Sequence, residues 1–282
     1  MQVSLGTFEC NHVIRERVAA VLDSGRLSYG PQSKELEAIF AKQHMCKHGV
    51  LSNSGTSSLL VALEALKETY GWFDWSEVII PATTFVATAN AVIQARLTPV
   101  VVDVHPSYYD LDPYLIQPAL TKNTVAVIAV NLFGKPADLQ TISNMCHLHD
   151  LRMIEDSCEA MYVGISGNPV GSWGDIGVFS FYMAHIIPAG VGGMSITNND
   201  DLALQMRSLV NHGLSYSNLP SADEYDPSFL GRDFVFDRIG YSFRITELEA
   251  AIALGQIDRV ASIINIRQRV ASYYNGILDE FS

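Results

Sequence analysis

Short apolar runs alternate along the first part of the chain with segments whose apolar positions recur at helical spacing. The runs are VLSN at 50–53, EVII at 77–80, PVVVDV at 99–104, TVAVIAV at 124–130 and LRMIED at 151–156. Between them lie SSLLVALEAL, TFVATANAVIQ, a helical segment near 113–119 and another from about 137 to 149. Runs without a polar face predict strands covered on both sides. The pattern therefore predicts an α/β fold, a mostly parallel sheet flanked by helices, with ligands at the carboxyl ends of the strands. Two stretches break the rhythm. From 212 to 232 (HGLSYSNLPSADEYDPSFLGR) Pro, Ser, Gly and Asp replace periodicity, which predicts a mobile loop. From Thr246 one long helical pattern (TELEAAIALGQIDRVASIINIRQRVASYYNGIL) runs until the sequence stops at Ser282, without obvious capping chemistry there. Residues 246–282 are thus expected to form one long helix, at an end where the chain looks cut short.

Composition narrows the classes. A chain of 282 residues, 48% hydrophobic, closes a sizeable core. Its start lacks a secretory signal and no apolar run approaches the roughly 20 residues of a membrane span, so a cytoplasmic protein without membrane contact is expected. Cys10, Cys46, Cys146 and Cys158 show no CxxC spacing, which argues for buried thiols and against a metal site. A net charge of −12 disfavours nucleic acid, yet a phosphate-bearing small ligand can still be held by backbone N–H groups.

Three segments carry candidate chemistry. In SNSGTSS at 52–58, small and hydroxyl residues follow a strand and open a helix, a positive end suited to phosphate; an ordinary capped helix gives the same pattern. IEDSCEA at 154–160 places Glu155, Asp156 and Glu159 at the end of a buried strand, where charge needs a partner. Asp156 there asks for a cation or a protonated ring, or else caps a helix. In GDIGVFSFYMAHIIPAGVGGMSITNN at 174–199, a strand ends at Ser180 and another follows an apolar, Gly-rich turn holding His185. That histidine is either a satisfied turn residue or an acid/base.

SFYMAH followed by GVGGMSITNN resembles the DegT/DnrJ/StrS family of pyridoxal-phosphate sugar aminotransferases. The likeness extends through RLSYGPQSKELEAIFA, SNSGTSSL, PATTFVATANAVI, VVDVHPSYYDLDP, VNLFGKPAD, IEDSCEA and IGYSFRITELEAAIALGQ. It implies the large domain of the aminotransferase fold type I over residues 1–245, with 246–282 a long helix leading toward a truncated C-terminal small domain. It further implies that Gly55, Thr56 and Ser57 cradle the cofactor phosphate with Ser180 as another hydroxyl donor, that Phe85 stacks on the pyridine ring, and that Glu159 faces the ring hydroxyl. Asp156 matches the carboxylate that keeps the ring nitrogen protonated, so that the ring can absorb electrons. Ser242 stands where the family usually has asparagine, reaching the phosphate from the partner subunit, which implies a homodimer with a shared active site. Val191, in GVGG, replaces a usual acidic residue.

The family's usual lysine lies five residues after the serine, and here that position is His185. Histidine cannot hold the cofactor covalently, and no lysine follows Lys135. The resemblance then implies reversibly bound pyridoxamine phosphate, with glutamate as amine donor and imidazole as acid/base. This substitution is similar to the branch of 3-dehydratases of nucleotide-linked 4-keto-6-deoxy sugars, in its type without an iron–sulfur cluster, since no cysteine follows Cys158. Deoxygenation at C3 of a nucleotide-linked keto sugar, in deoxysugar or surface-polysaccharide assembly, is the function implied. Transamination of such a sugar, and a non-catalytic relative that binds cofactor or dimerises, stay open beside it.

Overall fold

The structure, a computed structural model, describes residues 8–215 and 235–281. Most of the loop expected over 212–232 lies outside the described residues. Two helices, α1 (His12–Ser24) and α2 (Pro31–Gln43), precede β1 (His48–Ser52), α3 (Gly55–Tyr70), β2 (Glu77–Pro81), α4 (Val86–Gln94) and β3 (Thr98–Val102). A 3-10 turn (Pro113–Leu115) leads into α5 (Ile116–Ala119), β4 (Thr124–Val130), α6 (Leu139–Leu148) and β5 (Arg152–Asp156). A small hairpin, β6 (Gly164–Ile165) and β7 (Asn168–Pro169), then gives way to β8 (Ile176–Ser180), β9 (Gly193–Thr197), α7 (Asp200–Val210), α8 (Glu247–Ile257) and α9 (Val260–Asp279).

Seven strands form one sheet in the order β1-β9-β8-β5-β4-β2-β3. All neighbouring pairs from β8 to β3 are parallel, whereas β9 runs antiparallel to both β8 and β1. Alternate residues of β4 feed two apolar layers: Val127 and Ala129 pack with Leu36, Phe40, Leu139 and Leu254, while Ala126 and Ile128 pack with Leu63, Ala91 and Met206. Helices α2, α6 and α8 therefore cover one face and α3, α4 and α7 the other, which is why the strands read as unbroken apolar runs.

The middle of the sandwich explains α3. Leu59, Leu60, Val61, Ala62, Leu63, Ala65 and Leu66 are all buried, so this helix has no solvent stripe over that stretch. Ser54 caps its start by accepting the Ser57 N–H (3.1 Å), and Gly71 ends it in the left-handed conformation at φ 64°.

At the C-terminal end the single long helix expected from Thr246 is two. The chain turns at Asp258–Arg259 between α8 and α9. Apolar spacing stays in phase across the turn and neither Gly nor Pro marks it, so periodicity alone reads through. A capping box at Thr246 and Glu249 starts α8, whose Ala250, Ala251, Ala253 and Leu254 are buried; α9 buries only Val260. Glu247 does a second job. Its buried carboxylate accepts the N–H groups of Gly30 (2.8 Å), Gln32 (2.8 Å) and Ser33 (2.9 Å), capping α2, whose own N-cap Gly30 has no side chain to offer. Among the described residues, no helix is long and apolar enough to cross a membrane.

Candidate active site

A cavity of about 390 Å³ opens at the carboxyl ends of β1, β4, β5 and β8. The amino end of α3 forms one wall. There Ser58 makes the first bond of the helix, to the Ser54 carbonyl (3.0 Å), which leaves the N–H groups of Gly55 and Thr56 without intrahelical partners. Ser54, Gly55 and Thr56 all line the cavity; Ser57 does not, because its hydroxyl donates to Asn53 Oδ1 (2.6 Å) and so serves the cap. Ser180 ends β8 opposite, its Oγ accepting the Tyr182 N–H (3.2 Å).

Gly55 is required by closeness. A Cβ there would lie 2.8 Å from both Cys158 Sγ and Ser180 Cβ, and neither atom is the end of a long, flexible side chain. Gly55→Ala is expected to lower stability by about 1–3 kcal/mol by overpacking. It should also weaken phosphate-bearing ligands by at least tenfold, as a urea titration and equilibrium binding would measure; unchanged affinity would remove Gly55 from the cradle.

The floor carries the carboxylates. Asp156, at the end of β5, is buried; its Oδ2 accepts from Thr88 Oγ1 (3.0 Å) and its Oδ1 from the Cys158 N–H (3.3 Å). Burial raises its pKa, against the lowering effect of these donors. Glu159 borders the same cavity and accepts the Phe133 N–H (2.9 Å). Glu155, one residue away, points elsewhere, as strand alternation dictates. It is fully buried and accepts the N–H groups of Gly171 (2.6 Å), Trp173 (2.6 Å) and Gly174 (2.9 Å). Phe85, at the start of α4, exposes 68% of its surface at the rim, far too much for a core phenylalanine.

His185 lines the remaining side, edge-on to Tyr182 with ring centroids 6.0 Å apart. Among the described residues, its buried Nδ1 has no hydrogen-bond partner and no lysine lines the cavity. Burial is the main influence on the imidazole and lowers its pKa; Glu159, the nearby Ser180 carbonyl and Asp156 act the other way, and the Arg267 charge adds to the lowering. Arg267 reaches across from α9 to donate to the His185 carbonyl (3.1 Å). Sequence reading missed Ser54, Thr88, Tyr182 and Arg267. Ser242 stands apart: it is exposed, does not line the cavity, and accepts from Arg244 Nη2 (3.0 Å).

The donor set suits a phosphorylated, flat ring with a basic nitrogen: a helix start with free N–H groups, an exposed aromatic ring, a buried carboxylate and an orphaned imidazole nitrogen. The mainly parallel sheet with flanking helices matches fold type I pyridoxal-phosphate proteins. The profile of the DegT/DnrJ/EryC1/StrS aminotransferase family matches residues 9–282, and the chain belongs to this family of pyridoxal-phosphate-dependent sugar-nucleotide aminotransferases and dehydratases.

Among its relatives are the GDP-perosamine synthase of Caulobacter vibrioides, 37% identical over 85% of this chain and 60% of that protein, and the UDP-N-acetyl-3-dehydro-alpha-D-glucosamine 3-aminotransferase of Acidithiobacillus ferrooxidans, 36% identical over 91% and 64%. The chain thus spans less than two thirds of the length of these curated relatives. Among solved structures, the E. coli GDP-4-keto-6-deoxy-D-mannose-3-dehydratase with bound hydrated PLP superposes at a TM-score of 0.88 with 26% identity, covering 97% of this chain and 72% of that one. Helicobacter pylori PseC, an aminotransferase of pseudoaminic acid biosynthesis, matches at 0.88 with 25% identity, over 98% and 71%.

Proposed function

We propose that this chain supplies the catalytic face of an enzyme that removes the C3 hydroxyl of a nucleotide-linked 4-keto-6-deoxy sugar, using pyridoxamine phosphate. One observation carries the choice: the cavity presents the imidazole of His185 and no lysine. When bound, pyridoxamine phosphate supplies an amine for the sugar ketone and a ring that absorbs electrons. Ser54, Gly55, Thr56 and Ser180 hold its phosphate, Phe85 covers a ring face, Glu159 faces the ring hydroxyl, and Asp156 keeps a proton on the ring nitrogen. His185, uncharged at neutral pH because burial lowers its pKa, takes a proton from carbon and returns one to the departing hydroxyl. A second copy of the chain brings Ser242 toward the phosphate in a homodimer, and glutamate restores the amine.

Transamination of the same class of sugar is the second reading, favoured by the names of the two curated relatives. Titration with pyridoxal phosphate and with pyridoxamine phosphate, then borohydride and intact mass, is expected to show reversible binding and no lysine adduct. Incubation with GDP-4-keto-6-deoxymannose and glutamate should then yield a product lighter by one oxygen atom, with one ammonia and one 2-oxoglutarate released per turnover, glutamate being the net reductant. An amino sugar instead would establish the transaminase, and a covalent adduct would remove His185 from the central role.

A further inference from the structure

The chemistry proposed for Asp156 requires its carboxylate to face a ring nitrogen with a fixed geometry and charge, and a neighbouring element supplies the means. Thr88, on α4, is fully buried. Its Oγ1 lies 3.0 Å from Asp156 Oδ2 and 2.8 Å from Thr84 Oγ1, and Thr84 lines the cavity. We propose that Thr88 is a positioning residue that orients the Asp156 carboxylate toward the cofactor's ring nitrogen. The proposal rests on the cofactor reading above.

Proton count fixes the direction of the chain. An ionised carboxylate only accepts, so Thr88 spends its one hydroxyl proton on Asp156; the short contact to Thr84 then requires Thr84 to donate to Thr88. The Cys158 N–H holds the other carboxylate oxygen (3.3 Å). One oxygen is tied to α4 through Thr88 and the other to the segment after β5 through the Cys158 N–H, with the Cys158 thiol a further partner, so the carboxylate is restrained from two elements at the cavity it lines. The same residue reaches the other ring-holding group: the Thr88 N–H donates to the Phe85 carbonyl (3.1 Å). Position 88 therefore joins both through different atoms: its backbone bonds the residue assigned to the ring face, as any residue there would, and its hydroxyl bonds the residue assigned to the ring nitrogen. A helical threonine commonly turns its hydroxyl back to the carbonyl three or four residues earlier; here it reaches out of α4 to the end of β5.

Charge follows orientation. Burial raises the Asp156 pKa, and the Thr88 hydroxyl is among the donors that oppose this. The other titratable groups acting around it are Glu159, Cys158 and His185. A carboxyl that took up a proton would no longer pair with a protonated ring.

The test uses the full chain with pyridoxamine phosphate carrying ¹⁵N in the ring, comparing wild type with Thr88→Val, which keeps shape and loses the hydroxyl, and Thr88→Ser, which keeps the hydroxyl. The ¹⁵N shift and the affinity are read from pH 5 to 9, with thermal unfolding in parallel. The wild-type and Ser proteins are expected to hold a protonated ring across the range. The Val protein should lose it within that range and bind roughly tenfold more weakly, about the size of one hydrogen bond to a charged group. A Val protein with the wild-type shift at every pH overturns the proposal, whatever its stability. Should Thr88→Val fail to fold, Thr84→Val must shift the same signal in the same direction by a smaller amount; no shift is again fatal. If wild type does not bind the cofactor at all, the functional reading fails separately, and the ¹³C titration of the Asp156 carboxyl in the free protein still decides: a higher midpoint in Thr88→Val than in wild type supports the role of Thr88, and equal midpoints overturn it.

Discussion

Replacing His185 with asparagine is expected to lower turnover of the keto sugar by about 10²- to 10⁴-fold, the usual contribution of a positioned acid/base, with affinity for pyridoxamine phosphate kept within a few-fold. The asymmetry arises because the phosphate wall, the exposed ring of Phe85 and the carboxylate of Asp156 lie on other elements and do not depend on the imidazole. The pH profile gives a second check. Only the uncharged ring accepts a proton, and burial lowers the His185 pKa from its ordinary value of about 6.5. Activity should therefore be level through neutral pH and fall on acidification below that value, as the imidazole charges; in the asparagine variant this limb should vanish from the residual rate. Equal loss of turnover and of affinity would instead make His185 part of the binding wall.

Removing Glu155 is expected to have the largest effect on the frame. In Glu155→Ala three N–H groups, that of buried Gly171 and those of half-buried Trp173 and Gly174, lose their acceptor at once. At about 1–3 kcal/mol for an unsatisfied buried group, the loss should reach about 2 kcal/mol. Glu155→Gln keeps an acceptor oxygen and should lie between. Urea unfolding of the three proteins measures this, and an alanine variant within 1 kcal/mol of wild type would show that water replaces the carboxylate. Burial raises the Glu155 pKa while the three N–H groups lower it.

These two acids show how far the sequence could be read. Their adjacency on β5 sends them to opposite sides, so one serves the cavity and the other the turn at 171–174; IEDSCEA displays both charges, but the strand's alternation is needed to separate their tasks. Strands with unbroken apolar runs were legible almost to the residue, as TVAVIAV became β4 (Thr124–Val130). Strand direction was not, since GGMSIT reads the same whichever way β9 runs. Gly55, Thr56, Phe85, Asp156, Glu159, Ser180 and His185, named from segments up to 130 residues apart, line one cavity, whereas Ser57 turned to the helix cap. Thr88 and Arg267 act through single contacts between remote segments, which leave no periodic trace; the two threonines four apart in TTFVAT were the visible sign of the first.

The reversed strand has a consequence for how such proteins change. Because β9 is antiparallel to β8, Gly193 pairs with Ser180, and the chain between them leaves and re-enters the sheet at one place. That excursion is stitched at its base by the Phe181 N–H to the Gly192 carbonyl (2.9 Å) and the Ala189 N–H to the Phe181 carbonyl (2.9 Å). Position 185 sits beyond the stitches, like a bit in a chuck. The side chain at that position can therefore be exchanged with the pairing of Ser180 and Gly193 undisturbed, so the reactive group and the frame that holds it are separable.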